Sequence, residues 1–168
     1  MGMENDALIE LADIVSNGND QVVSDITLLV RDPATFVEAH NRWYESTFAG
    51  SVDDDNADIV DVFTSWLVES HIGAYIDRNA KPAAILSKLS GIEATLGLSL
   101  HLTELTFTGD EETTELLDLV GTDLESEGCG LYRLDVDADG FLLFIVRDEV
   151  EDRFMSDVAN LGFEGHMH

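Results

Sequence analysis

The sequence contains one cysteine, Cys129, and no long apolar run. A single cysteine excludes an internal disulfide framework and any metal site that needs several thiolates. No apolar segment reaches the roughly 18 residues that a membrane-spanning helix requires. The opening residues, Met1-Gly2-Met3-Glu4, lack the basic region followed by an apolar region that marks a signal peptide. We therefore expect a cytoplasmic protein.

Basic residues are also scarce. Eight Lys and Arg stand against 35 Asp and Glu, which gives a formal net charge of −27. Lys and Arg are absent from residues 1–30, 43–77 and 89–132. Contacts with phosphates need clustered Lys and Arg, so the composition disfavours a nucleic-acid partner. It disfavours an anionic membrane surface for the same reason.

The acidity has three interpretations. It can serve solubility in a salt-adapted cell with an acidic proteome. It can form acidic faces for a basic partner, as a toxin-neutralising or nucleic-acid-mimicking protein needs. It can also bind divalent cations. The candidate interaction faces lie around 53–61 and 110–127, and the residues proposed for contact are Asp53, Asp54, Asp55, Asp58, Glu111 and Glu112.

Residues 1–48 are patterned for helices. Apolar residues recur at helical spacing in three segments between residues 5 and 44,. Asp32-Pro33 separates the second segment from the third, because Asp suits a helix N-cap and proline suits the first helical position. We expect an N-terminal layer of three helices.

Residues 56–168 mix helices with strands. Helical periodicity alternates with short strand-like segments, which is typical of an α+β fold with one small, mostly antiparallel sheet. Helices are expected at 56–69, from Lys81-Pro82 to about Ile92, from Gly109 to Gly128 and at 148–160; strands are expected at 72–76, 99–108 and 163–168, with a central β-hairpin at 130–147. The passage 141–168 can form a parallel crossover. We expect a single α+β domain over 1–168.

The hairpin contains the most informative motif. Asp135-x-Asp137-x-Asp139-Gly140 matches the first half of an EF-hand calcium loop,. The second half fails, because Val146 stands where the loop needs a bidentate Glu. Strand-like alternation before the motif also contradicts the helices that an EF-hand requires. The pattern therefore favours a hairpin over a calcium loop.

The expected hairpin turns at Asp139-Gly140. A two-residue turn there would place Leu134 opposite Ile145. Six consecutive apolar residues follow Gly140, which is typical of a central strand buried on both faces. We expect 141–146 to form the core of the sheet.

The histidines and the cysteine give weak signals. His40 shares a helical face with Phe36 and Tyr44, which indicates a packed side chain. His166-x-His168 would place two imidazoles on one side of a strand, a metal-ligand pattern, but it lies at the chain end, where fraying is usual. Cys129 lies between Gly128 and Gly130 and is expected to lack a nearby cation that would lower its pKa, so we do not expect a nucleophile.

One group of polar residues forms a candidate binding site. Asp77-Arg78 ends an expected strand, and Asp135 lies near the end of another. If the strands lie close together, Asp77, Arg78, Asp135 and Asp137 form a polar cluster. No metal ligand set, cofactor motif or recognised catalytic motif accompanies them.

The second half of the chain resembles a bacterial domain family of unknown function. The similarity covers about 60–168 and rests on Trp66 ahead of Tyr75-Ile76-Asp77, and on Leu134-Asp135-x-Asp137-x-Asp139 followed by Leu142-x-Phe144-x-Val146. Arg78 departs from the pattern, since an aromatic residue is expected after the Asp. The resemblance implies an intracellular α+β domain and brings no activity.

The sequence favours a non-enzymatic protein-interaction module of the toxin-immunity or sequestering type. It would bind a basic protein through its acidic faces. The alternative is a small metal-binding protein or enzyme that uses Asp77, Asp135 and Asp137. The oligomeric state does not follow from the sequence.

Overall fold

The structure is a computed structural model that describes residues 2–48, 58–98, 112–136 and 139–168. Five helices come first and are followed by a mixture of strands and helices, as expected of this α+β protein, with four strands in the described residues. Their bounds are α1 Gly2–Val15, α2 Asp20–Arg31, α3 Pro33–Ala39, α4 Asn41–Phe48, α5 Ile59–Glu69, β1 Ala74–Asp77, α6 Pro82–Leu96, α7 Thr113–Glu125, β2 Cys129–Asp135, β3 Gly140–Arg147, α8 Glu151–Asn160 and β4 Glu164–Met167. The α+β fold class is confirmed.

The strands form one sheet in the order β1-β3-β2-β4. Each neighbouring pair is antiparallel, and the predicted hairpin supplies the two inner strands. Because β3 and β4 both run antiparallel to β2, they point in the same direction. The β3–α8–β4 passage is therefore the expected parallel crossover, with β2 lying between its two strands.

Helices cover both faces of this sheet. On one face, α1, α2, α3, α5 and α8 enclose a core that includes Leu142, Phe144 and Val146. On the other face, α6 and α7 enclose a second core with Leu143 and Ile145. Alternate residues of a strand point to opposite faces. The apolar run of β3 is thus divided between two cores, which confirms the prediction of two-sided burial.

The helix starts follow the capping signals in the sequence. The Asn19 side chain accepts hydrogen bonds from the backbone N–H groups of Gln21 and Val22 at 3.1 and 3.2 Å. Asp32 accepts from the backbone and hydroxyl of Thr35 at the start of α3, and these bonds lower the pKa of its carboxyl. Such caps satisfy N–H groups that have no partner inside the helix.

The third predicted helix is two helices, which corrects the prediction. The backbone leaves helical geometry at His40, which lies between α3 and α4 with φ −114° and ψ 26°. The His40 ring packs against Phe36 and Trp66, with ring centroids 4.7 and 4.2 Å away. Its Nε2 lies 3.6 Å from Oδ1 of Asp25. The expected packed histidine is present, but at a break between helices.

The register of the hairpin also differs from the prediction. Leu134 lies opposite Leu142, not opposite Ile145, and the last pair is Asp135 opposite Phe141. Gly140 therefore belongs to β3 and does not form a two-residue turn. Residues 137 and 138 lie outside the described part, and so does the strand predicted at 99–108.

Gly140 is required by the neighbouring strand. It lies opposite Asp77 of β1, and a Cβ atom at this position would be 2.6 Å from the carbonyl oxygen of Ile76. The same atom would collide with the phenol ring of Tyr75. The Asp-Gly pair in the sequence thus reflects the close approach of β1 and Tyr75 to β3.

Candidate functional site

The end of the sheet carries a cluster of charged side chains around Asp135. The Arg133 Nε and Nη2 atoms donate hydrogen bonds to Asp135 Oδ1 at 3.0 and 2.8 Å. The Arg78 Nη2 lies 3.8 Å from the same oxygen, and His166 Nε2 lies 3.5 Å from Oδ2. We call these four residues the Asp135 cluster. Three basic side chains therefore converge on a single carboxylate.

The sheet register positions the Asp135 cluster. Arg133 lies opposite His166 of β4, and its guanidinium carbon lies 4.2 Å from the centre of the Phe141 ring. Stacking on an aromatic ring is a favourable arrangement for a guanidinium. Arg78 reaches the cluster from the end of β1, where its backbone N–H donates to the carbonyl of Asp139 at 3.0 Å.

The four residues predicted for this site have different positions. Arg78 and Asp135 approach each other although β3 separates their strands. Asp77 accepts a hydrogen bond from the backbone N–H of Asn79 at 2.7 Å, which is a local turn. Asp137 lies outside the described residues.

Sequence reasoning missed Arg133 and His166. Arg133 and Asp135 are two residues apart on one strand, so they share a face of the sheet. This spacing was visible in the sequence. His166 could not be found in this way, because its position depends on the pairing of β4 with β2.

The electrostatics of the Asp135 cluster disfavour a bound cation. The Arg133 and Arg78 guanidinium groups already oppose the negative charge of Asp135 and repel a metal ion there. Among the described residues, no group of three or more His, Cys, Asp or Glu side chains is arranged to hold a metal ion. The cluster is better suited to locking the ends of β1, β2 and β4 together.

The outer surface of α7 is a second candidate site. Five carboxylate side chains on and beside this helix are exposed. Leu119 lies between them, with 41% of its surface exposed. We call this surface the α7 acidic face; it comprises Glu112, Glu115, Asp118, Leu119, Glu125 and Glu127. The other large apolar residues of this helix, Leu116, Leu117, Val120 and Leu124, are buried.

The α7 acidic face contains no Lys or Arg. In the described part of the chain, none of its carboxylates pairs with either residue type, and the only ion pair links Asp118 to His168 at 2.9 Å. Glu125 follows Glu112 by 13 positions in the sequence, so at 1.5 Å per position these two residues lie about 20 Å apart along the helix. The face is an acidic surface whose carboxylates have no Lys or Arg partner in the described residues, and it includes one exposed apolar residue, Leu119.

The predicted contact residues that the structure describes have local roles. The Asp58 side chain accepts a hydrogen bond from the Val60 N–H at 3.1 Å and caps α5. Glu112 and Glu115 form a reciprocal capping box at the start of α7. Asp53, Asp54, Asp55 and Glu111 lie outside the described residues.

The C-terminal residues are packed against α7. The His168 N–H donates to the Leu131 carbonyl at 3.0 Å, and the side chain is 10% exposed. Gly121 makes room for the His168 backbone, because a Cβ atom there would collide with it. His166 and His168 contact different carboxylates, Asp135 and Asp118, so the two imidazoles do not act as a pair. The closing strand predicted at 163–168 is present as β4.

Cys129 is buried at the start of β2, directly opposite Arg147. The expectation that no cation lies nearby is therefore wrong. Burial nevertheless raises the pKa of the Cys129 thiol more than Arg147 lowers it. A raised pKa disfavours the thiolate, which is the nucleophilic form.

The comparison with protein families identifies a family for this chain. The family model described as "Domain of unknown function (DUF6630)" matches residues 7–166. No curated protein and no solved structure matches the chain. In the described residues, no helix is both long enough and apolar enough to cross a membrane.

The chain belongs to the DUF6630 family. The expected membership in a family of unknown function is confirmed. The match also includes the N-terminal helices, which the resemblance over 60–168 left out.

Proposed function

We propose that this DUF6630 protein is a non-enzymatic interaction module that binds a basic protein in the cytoplasm. It acts in the manner of a toxin-immunity or sequestering protein. The observation that carries the proposal is the α7 acidic face, where exposed carboxylates have no Lys or Arg partner among the described residues.

Charge on this surface favours a partner of opposite sign. Complementary charges speed the diffusional encounter and make it sensitive to salt. Charges elsewhere on the protein are partly compensated, since Asp6 pairs with Arg31 and Glu10 pairs with Arg153 at 2.8 and 2.6 Å. The carboxylates of the α7 acidic face have no such Lys or Arg partner in the described residues, so their charge is available to a cationic partner.

Leu119 adds an apolar contact to the proposed interface. Binding energy in protein interfaces concentrates in a few residues near the centre, surrounded by polar residues that exclude water. Leu119 has exposed acidic residues on both sides along the helix. We expect the partner to place an apolar side chain on Leu119 and basic side chains around it.

The alternative of a metal-binding protein or enzyme at Asp77, Asp135 and Asp137 has less support. Arg133 and Arg78 occupy the position next to Asp135 that a metal ion would need. Asp77 bonds to its own turn. Titration with calcium, magnesium and zinc tests this alternative directly, and submillimolar binding would restore it.

The test of the proposal is recovery of the partner and a measurement with it. The protein is used as bait in its native lysate at low salt, and any basic protein retained is identified by mass spectrometry and purified. Binding is then measured for the wild type, for Glu115→Lys/Glu125→Lys and for the control Asp152→Lys, an exposed acidic residue on α8. We expect at least tenfold weaker binding for the α7 variant alone. Recovery of no basic protein, or equal binding by all three, would refute the proposal.

A further inference from the structure

The aromatic residues of α4 are only partly buried in the described part of the structure. α4 carries Trp43, Tyr44 and Phe48, yet no residue of this helix is fully buried. The Trp43 centroid lies 4.8 Å from that of Trp66 of α5 and 5.9 Å from that of Phe48 of its own helix, and the three rings are only partly buried. A helix with an aromatic face gains most of its stability from packing that face against something else.

A groove of about 470 Å³ lies beside this face. Its floor and walls come from α4, α5, β1 and β3, and they include Trp43, Val68, Tyr75 and Leu142. A volume of this order is in the range of pockets that hold a small ligand or several side chains of a partner. The groove is therefore large enough for part of another protein.

Two carboxylates line the same groove. Asp61 and Glu69 stand at the two ends of α5, and both are exposed. Neither takes part in an ion pair within the described residues. The segment 43–77 lacks Lys and Arg, and no basic residue is among the described residues that line the groove. Arg42 is the one Arg of α4 and is not among the lining residues. The eight-residue interval between the two carboxylates corresponds to about 12 Å along the helix.

We propose that this groove binds a basic amphipathic segment of the partner protein. An apolar side chain of that segment enters between Trp43 and Leu142. Lys or Arg side chains about 12 Å apart bind Asp61 and Glu69. Charge complementarity selects this occupant, because the groove combines an apolar interior with acidic ends that have no Lys or Arg of their own. This inference rests on the proposed function and adds a second contact, on the opposite side of the sheet from α7.

A defined peptide tests the groove independently of the natural partner. The probe is a peptide of Leu and Lys, about 14 residues or two heptads long, in which Leu recurs at the spacing of an amphipathic helix. The control is a peptide of the same composition with a scrambled sequence. Binding is measured by calorimetry for the wild type and for two groove variants. Asp61→Lys/Glu69→Lys reverses the charge, whereas Ser65→Trp fills the groove and keeps the charge.

We expect either groove variant to weaken binding of the amphipathic peptide at least tenfold, and the scrambled peptide to bind at least tenfold more weakly than the amphipathic one. The matched control is Asp20→Lys/Asp152→Lys, which reverses two exposed charges outside the groove and should change binding less than twofold. Thermal unfolding confirms that each variant is folded. Equal binding of the two peptides, or groove variants that bind like the wild type, would overturn the inference.

The two proposals fail in different ways. If Glu115→Lys/Glu125→Lys weakens binding of the natural partner while both groove variants bind it normally, the α7 interface stands and the groove inference is wrong. If the groove variants weaken binding of the natural partner and the α7 variant binds it normally, the groove inference stands and the α7 proposal is wrong.

Discussion

Helices α7 and α8 cover opposite faces of the sheet and differ in how their charged side chains are paired. Both bury an apolar stripe, which includes Leu117 in α7 and Phe154 in α8. On α8, Arg153 donates from Nε and Nη2 to Glu10 of α1 at 3.0 and 2.6 Å. On α7, no Lys or Arg occurs along the whole helix.

The difference extends to the helix ends. Acidic residues in the first turn, as in α8 with Glu151 and Asp152, are favoured by the positive end of the helix dipole. Glu125 lies in the last turn of α7, where a negative charge is unfavourable. Function commonly retains features that lower stability. Glu125 is therefore a charge that the stability of α7 does not require, whereas Glu112 and Glu115 cap the start of the same helix.

The largest expected effects come from the two apolar stripes. Phe154→Ala should cost about 3–5 kcal/mol of unfolding free energy and Leu117→Ala about 2–5 kcal/mol, because each leaves a cavity in a separate core. Leu119→Ala is the matched control on α7, and its exposed side chain should contribute less than about 0.5 kcal/mol. Urea unfolding measures all three. A large loss from Leu119→Ala would show that the exposed position of Leu119 is wrong.

The next effect concerns the packing of the chain end on α7. Gly121→Ala should cost about 1–3 kcal/mol, because the new methyl group overlaps the His168 backbone,. In a chain that lacks His168, the same substitution should stabilise the protein by about 0.5–1 kcal/mol, since alanine is the better helix former. Thermal unfolding of the wild type and of Gly121→Ala, each with and without His168, measures both changes in stability. The same sign in both chains would mean that His168 does not pack on Gly121.

The helix ends predict smaller effects of opposite sign. Glu125→Lys should stabilise the protein by about 0.3–1 kcal/mol, because it places a cation in the last turn of α7. Asp152→Lys should destabilise it by a similar amount, because it places a cation in the first turn of α8. Chemical unfolding at low salt measures both, and high salt should reduce the difference between them. Destabilisation by Glu125→Lys would remove the contrast between the two helices.

The smallest effect is a pH dependence from α8. Asp157 is buried, and desolvation followed by the charge of Glu10 raises the pKa of its carboxyl, while Arg153 lowers it. Because the folded pKa exceeds the unfolded value near 3.8, Asp157 favours the folded state below that pH. This contribution is lost as the pH rises through the folded pKa.

Asp157→Asn tests this dependence, because asparagine does not titrate. The stability of the variant relative to the wild type should rise between about pH 4 and pH 7, which unfolding in urea at several pH values measures. Glu115→Gln on the exposed face of α7 is the comparison, since it removes a carboxylate without burial. If the difference in stability between Asp157→Asn and the wild type does not change with pH, burial does not destabilise the ionised Asp157 carboxylate.

Most of the fold could be predicted from periodicity. The apolar run after Gly140 predicted a central strand with two buried faces, because no amphipathic strand has such a pattern. Asp32-Pro33 located a helix boundary through capping chemistry alone. The register of the hairpin could not be predicted, because it depends on the close contact between Gly140 and Tyr75 on another strand. A turn motif in the sequence gives no information about a contact between strands that are distant along the chain.

The candidate sites were less predictable. The acidity of residues 110–127 was evident, but the exposure of Leu119 was not, since its spacing from Leu116 also fits a buried stripe. Arg78 and Asp135 were correctly suspected of proximity. The role of Arg133 followed from its spacing to Asp135 and was overlooked, whereas His166 depended on the pairing of distant strands.

The most direct test of the account is the salt dependence of association with the basic partner. The association rate constant is measured from about 0.03 to about 0.5 M salt, where screening of exposed charges changes strongly, for the wild type, Glu115→Gln/Glu125→Gln and Asp152→Asn. The account predicts a steep fall in rate for the wild type and for Asp152→Asn, and a clearly shallower one for the α7 variant. The same slope for all three proteins would contradict the claim that the α7 acidic face binds the partner.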